Sequence, residues 1–151
     1  MFSSRAFRHE LLAATVAIGC GACALGAHAA PMPVHRGQIT YITGGIGADE
    51  EDAMKAASGD YNLLISNAEK DGEFTAGTNL VIRDARGNEV LHAQNTGPLF
   101  YAQLPAGHYV VDATYDGIER IRNVTVGAQS SANIHLIWPQ ADAQQYDWRR
   151  G

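Results

Sequence analysis

Between positions 61 and 138 the sequence is cut into seven short runs, with turn-forming residues between them about every ten positions. The runs cover 61–66, 79–84, 89–94, 99–104, 108–115, 119–126 and 133–138. Ala85-Arg86-Gly87-Asn88, Gly97-Pro98, Pro105-Ala106-Gly107 and Asp116-Gly117 punctuate them, and Pro139 stops the last. Alternation of apolar and polar residues marks a strand with one buried face. It is clearest in the fifth run. Tyr109, Val111, Ala113 and Tyr115 share one side, with His108, Val110, Asp112 and Thr114 on the other. In the last run Ile134, Leu136 and Trp138 oppose Asn133, His135 and Ile137. Short strands with one wet face predict a mostly β protein, a seven-stranded antiparallel sandwich.

The pattern admits one helix, at 49–58. Asp49 is placed to cap its start, with Asp52 three residues on as in a capping box. Glu50, Glu51 and Asp52 complement the positive end of the helix dipole, and Gly59 is the expected stop. Ile46, Ala53, Met54 and Ala57 form the expected apolar face. A β-type run at 38–43 and the glycines Gly44, Gly45 and Gly47 precede this helix, an order shared with phosphate-binding loops. The chemistry argues against a nucleotide. Four consecutive carboxylates occupy the helix N-terminus, where a phosphate would need an uncompensated positive end. Neither the third glycine of a dinucleotide fingerprint nor a Gly-Lys-Ser/Thr sequence follows. The stretch is expected instead to be an N-terminal cover for the sandwich.

Residues 1–29 differ from the rest. Arg5, Arg8 and His9 are followed by an apolar run at 11–25 and by Ala27-His28-Ala29, a small-x-small cleavage pattern. Cleavage after Ala29 avoids placing Pro31 directly after the scissile bond. The apolar run is short and rich in small residues, so export is expected rather than a membrane span, and the mature chain is expected in the periplasm or outside the cell. A minor alternative is lipidation at Cys20. The remaining 122 residues (151 − 29) make one domain. They divide into a glycine turn and acidic helix at 30–60, the sandwich at 61–139 and a polar tail at 140–151. They hold no cysteine, because Cys20 and Cys23 both leave with the leader, and no second apolar segment of spanning length. Their charge is 9 − 15 = −6, with Lys55 and Lys70 the only lysines. Nucleic acid is therefore not an expected partner, since its binding rests on cations that neutralise phosphates.

The segment GPLFYAQLPAGHYVVDATYDG (97–117) resembles a pattern of carboxypeptidase regulatory-like domains, "G-x-x-x-F/Y-x-x-L-P-x-G-x-Y-x-V-x-A-x-x-x-G". The stretch NLVIRDARGNEVL (79–91) is similar to that family's "V-x-I-x-D-x-x-G-x-x-V" hairpin. The resemblance runs from about 61 to 138 and implies a transthyretin-like (prealbumin-like) sandwich. With the leader and the Gly-Gly-x-Gly acidic helix, the chain looks like small exported proteins of Gram-negative bacteria that carry this domain and have no assigned activity. The motif residues are Gly97, Pro98, Leu104, Pro105, Gly107, Tyr109, Val111 and Gly117. Each also has a physical reading as part of a strand, a sharp corner and a returning strand: Leu104 packs inward before Pro105 ends its run, and Tyr109 and Val111 return to the core.

Chemistry-bearing residues are few. His92, His108 and His135 fall on expected outward positions, so with Asp112 they are the candidate metal ligands. Solvated strand positions explain them more simply. His108 and Asp112 share a face, but no nucleophilic serine stands beside them in the sequence pattern. The acidic run 49–52 lacks the alternating ligands and central glycine of a calcium loop. Phe100, Tyr101, Tyr109 and Tyr115 could line a carbohydrate groove, although strand aromatics more often pack in cores. The transthyretin-like fold includes a purine-pathway hydrolase ending in Tyr-Arg-Gly-Ser, and this sequence lacks that ending. The expectation is a non-catalytic, cofactor-free binding protein of the cell envelope, with another envelope protein or a glycan as partner. The alternative is a small periplasmic metal-dependent protein or enzyme that uses the surface His and Asp positions.

Overall fold

In the computed structural model, residues 30–140 are described. The expected leader with Cys20, and the tail from 141 onward, lie outside them. Among the described residues nine strands form, in the order β1 Val34–Arg36, β2 Ile39–Gly44, β3 Leu63–Glu69, β4 Thr78–Asp84, β5 Glu89–Thr96, β6 Leu99–Gln103, β7 Gly107–Tyr115, β8 Ile118–Val126 and β9 Ala132–Trp138. One helix, α1 Ala48–Ala57, separates β2 from β3 and runs into a single 3-10 turn, Ser58–Asp60. The strands make a five-stranded sheet, β1-β2-β6-β3-β9, and a four-stranded sheet, β5-β4-β7-β8.

Two features depart from the seven-stranded antiparallel expectation. The segment before the helix supplies two further strands, with β2 paired to β6 from Thr40↔Gln103 to Gly44↔Leu99. The β-type run expected at 38–43, with its Ile39, Tyr41 and Ile42, is thus a strand of the five-stranded sheet itself and not part of a separate cover. The second departure is that β9 runs parallel to β3, from Leu63↔Ala132 to Glu69↔Trp138. After β8 the chain crosses from one sheet to the other, and the Ala132 amide donates to the Asn62 carbonyl at 2.9 Å. That bond sets the start of β9 beside the start of β3, so both strands run the same way.

The phase of the alternation is as expected. Leu63, Ile65, Phe100, Ile134, Leu136 and Trp138 from one sheet meet Leu80, Ile82, Leu91, Tyr109, Val111 and Val126 from the other in one buried cluster. Tyr41 stacks on Phe100 at 5.1 Å between ring centroids, and Tyr115 lies 5.5 Å from Trp138. Phe100 and Tyr109 are thus core residues. A second cluster lies on the outer side of the five-stranded sheet, where Met54 of α1 packs on Ile42, Leu99, Tyr101 and Tyr61. Full burial of Met54 stabilises by about 1.5–3 kcal/mol, and a ten-residue helix needs such tertiary support to persist.

The helix start differs in detail from the sequence expectation. Gly47, not Asp49, is the N-cap, with a φ of 84° that suits glycine. Glu50 reaches back to accept a hydrogen bond from the amide of Ile46, one residue before the N-cap, at 3.1 Å, so a capping box is not formed. Ile46 does not join the apolar face; it is 67% exposed.

Two buried asparagines tie the sandwich together. The Asn62 amide nitrogen donates to the carbonyls of Leu104 (2.8 Å) and Gly127 (3.1 Å), and its Oδ1 accepts from the Leu104 amide at 2.9 Å. Asn67 Oδ1 accepts from Trp138 Nε1 at 3.4 Å, and the Asn67 amide donates to the Pro98 carbonyl at 2.8 Å. These bonds satisfy buried polar groups that would otherwise cost free energy.

Candidate functional site

The sandwich distributes its chemistry-bearing side chains over two opposite outer faces. His92 and Asp112 lie on the four-stranded sheet, each paired across to Val81 of β4. Two strand spacings separate them, about 10 Å. His108 is on the same strand as Asp112 but four residues away, about 13 Å. His135 is on the five-stranded sheet, on β9. Among the described residues, no three His, Cys, Asp or Glu side chains are grouped so as to hold a metal ion. The fold therefore does not bring the four candidate ligands together.

Their actual partners are local. His108 Nδ1 lies 2.9 Å from Thr125 Oγ1, His35 Nδ1 lies 2.9 Å from Thr40 Oγ1, and Ser66 Oγ lies 2.7 Å from His135 Nδ1. Each is a directly opposed cross-strand pair. Such pairs stabilise a sheet by a few tenths of a kcal/mol to about 1 kcal/mol. Asp112 lies 3.4 Å from Arg83 and His92 lies 3.9 Å from Glu89. The Ser66–His135 pair escaped the sequence pattern, because two residues 69 positions apart become neighbours only once β9 is known to pair with β3. It has the hydroxyl and imidazole of a nucleophile and base. It lacks a third group: among the described residues, no carboxylate bonds His135.

One depression beside His108 measures about 310 Å³ and includes Asp84, Gly87, Tyr109 and Asn123. Its carboxylate is already used. Asp84 accepts from the amides of Arg86 (2.9 Å) and Asn88 (3.0 Å), and from Asn88 Nδ2 (3.3 Å). Bonds from Asn88 above all hold its pKa below the ordinary carboxylate value. Asp84 organises the β4–β5 turn. Tyr109, across the depression, donates from its hydroxyl to the Pro105 carbonyl at 2.6 Å, and burial raises its pKa.

A second depression, of about 350 Å³, is of a different kind. The glycine turn contributes Ile46 and Ala48, the β3–β4 loop contributes Phe74 and Ala76, and Pro98 comes from the β5–β6 turn. Phe74 is 42% exposed, an unusual state for a ring of that size beside an exposed Ile46. The loop that presents it is tied down. Glu69 donates to the Glu73 carbonyl at 2.8 Å, Gly72 to the Glu69 carbonyl at 2.9 Å, and Thr75 to the Asn67 carbonyl at 3.1 Å. Glu51 and Glu73 supply the carboxylates of this depression. Glu51 also pairs with Lys55 at 2.5 Å, and that bond raises the Lys55 pKa.

The glycines of the opening motif have their explanation here. Gly45 and Gly47 take φ values of 98° and 84°, which turn the chain out of β2 and into α1 and leave Ile46 at the apex. They shape the wall of the depression, which the turn shares with Phe74, nearly thirty positions away. Gly97, Pro98, Leu104, Pro105, Gly107, Tyr109, Val111 and Gly117 lie at corners and in strands of the sandwich, and of these only Pro98 touches this depression. Among the described residues no helix is long and apolar enough to cross a membrane. No model of a known protein family matches this chain, and comparison with curated proteins finds no match.

Proposed function

We propose that this is an exported, non-catalytic β-sandwich protein of the bacterial cell envelope that binds a partner through the depression between Ile46 and Phe74. The observation that carries the reading is the pairing of two exposed apolar side chains, on tied backbone, over a concave surface. Soluble monomers rarely leave contiguous apolar surface uncovered without a use for it. The resemblance of 79–91 and 97–117 to carboxypeptidase regulatory-like domains supports a transthyretin-like framework, and the leader-like segment supports the envelope as its place of work. The partner is an envelope protein or a cell-wall glycan.

Photo-crosslinking in intact cells tests this. A benzophenone side chain at position 74 should capture a discrete adduct, and the same group at position 92, on the opposite sheet, should not. Sedimentation with purified cell-wall sacculi distinguishes a glycan from a protein partner. Capture at both positions alike, or at neither with no sedimentation, overturns the reading.

A further inference from the structure

We propose that β8, an edge strand of the four-stranded sheet, takes up an extended acidic segment of a partner protein as a fifth strand. Acidic side chains of that segment lie opposite Arg120 and Arg122, and an apolar one lies opposite Ile121. The depression between Ile46 and Phe74 has no part in this contact.

An open strand edge presents a row of unpaired N–H and C=O groups, which proteins blunt by shortening, bulging or charging the strand. The four-stranded sheet has two edges, β5 and β8. The pairing of β5 with β4 carries two register shifts. β8 has none. It runs in unbroken register with β7 from Gly107↔Val126 to Tyr115↔Ile118, and of its nine residues only Val126 is buried. The protection of this edge is charge alone.

The Asp116-Gly117 turn sets which backbone groups are free. Its φ values of 47° and 74° are those of a two-residue type I′ hairpin, which closes with a hydrogen bond between the flanking residues, Tyr115 and Ile118. An antiparallel ladder alternates, so Arg120, Arg122 and Val124 also face β7 with their N–H and C=O groups. Those of Glu119, Ile121, Asn123 and Thr125 point away from it. Consistent with that direction, the Ile121 carbonyl accepts from a side chain, Arg122 Nη1, at 3.0 Å.

The charges select the occupant. Arg120 and Arg122 stand opposite Ala113 and Val111, so their side chains leave the strand on its inward face, at the margin of the sandwich. Arg120 lies 5.9 Å from the centre of the Trp138 ring. Lys55 and Arg83 pair with Glu51 and Asp112, but among the described residues no carboxylate pairs with either arginine of β8. A second copy fits badly. Antiparallel self-pairing centred on Ile121 sets Arg120 against Arg122, and centring on either arginine sets it against itself; like charges directly opposite destabilise a sheet. A strand reading acid-apolar-acid fits well. Its two carboxylates, two residues apart, fall on the same face as the arginines, and the side chain between them meets Ile121, 53% exposed on the outer face. Main-chain hydrogen bonds to the four free residues supply the rest of the affinity, as in other strand additions.

Amide hydrogen exchange followed by NMR tests this with the capped peptide acetyl-Thr-Val-Glu-Val-Glu-Val-Thr-amide. In the protein alone, the amides of Glu119, Ile121, Asn123 and Thr125 should exchange fast and those of Arg120 and Arg122 slowly. Saturating peptide should slow the first set by about tenfold or more and leave the amides of Ile46 and Phe74 unchanged. The same peptide with Lys for both Glu should bind about tenfold more weakly. Arg122→Glu should erase that preference, because each peptide then meets one like and one opposite charge. Slow exchange of all these amides in the protein alone overturns the proposal, because the edge would already be covered. Resonance shifts without slowing of the alternate set, or equal affinity for the Glu and Lys peptides, overturn it too. Slowing that grows with protein concentration in the absence of peptide assigns the edge to a second copy and likewise overturns it.

Discussion

Gly97 and Gly44 meet backbone to backbone. A Cβ added at Gly97 would stand 2.6 Å from the Gly44 carbonyl oxygen and 2.8 Å from its Cα. Thr43 fixes the approach: its hydroxyl accepts from the Gly97 amide at 2.8 Å and donates to the Leu99 carbonyl at 3.1 Å. This crossing joins the β5–β6 turn to the end of β2 and so holds Pro98 against the glycine turn. Gly97→Ala must move backbone and should destabilise by about 1–3 kcal/mol in urea unfolding. Gly44→Ala meets only the mobile carboxylate end of Glu50, so it should cost clearly less. Equal effects from the two changes would contradict the crossing as described.

Tyr109 carries two separable contributions. Its ring is buried between the sheets, and its hydroxyl closes the Pro105-Ala106-Gly107 corner through the Pro105 carbonyl. Tyr109→Phe should cost about 1 kcal/mol, the net worth of one hydrogen bond. Tyr109→Ala should cost about 3–5 kcal/mol, because it also leaves a cavity. An unchanged melting temperature in the alanine variant would show that the ring is not a core residue.

Asn62 is a buried side chain whose donors and acceptor are all committed. Asn62→Asp keeps the acceptor for the Leu104 amide but turns the donor into an oxygen facing the Leu104 and Gly127 carbonyls. The buried carboxyl is then driven toward its protonated form, with a folded pKa above the unfolded value of about 3.9. A raised folded pKa means stability that is present below the unfolded value and lost as pH rises through the folded one. The variant should therefore be most stable in mild acid and weaken toward neutrality, while the parent does not. A stability difference independent of pH between 4 and 7 would argue that position 62 is hydrated.

Much of the sandwich was legible because its signal is local. The period-two alternation of 108–115 and 133–138 fixes which side chains face inward, and turn residues fix where strands stop. Three things were not local. The pairing of β9 with β3, and with it the Ser66–His135 contact, depends on how the chain crosses between sheets. The β-type run at 38–43 was legible, but not that it joins the five-stranded sheet, and of the glycines that follow it Gly44 is held by a contact with Gly97, over fifty positions away. The exposed Phe74 belongs to a loop without periodicity, so nothing in its neighbourhood marks it as surface. The candidate ligands illustrate the converse limit. Outward phase was correctly assigned to His92, His108 and His135, yet phase does not say which sheet a strand joins, and His135 joined the other one.

Alkaline pH should unfold the protein through its buried phenols. Burial is the first cause that raises the pKa of Tyr61, Tyr101 and Tyr109 above the ordinary value of 10.0. Asp60 adds to the effect at Tyr61, Asp84 at Tyr109 and Glu51 at Tyr101, where Lys55 acts in the opposite direction. In each case the folded state holds the proton more tightly than the unfolded state. The resulting stability is complete below pH 10 and is lost as pH rises from there through the folded values. The melting temperature should stay level between neutrality and about pH 9, then fall as phenolate absorbance rises in the same interval. Tyr101→Phe removes one of these groups from the face that α1 covers, so its stability should decline less steeply in alkali. If phenolate forms at pH 10 with no loss of structure, these rings are not held in the buried clusters that join the two sheets and α1.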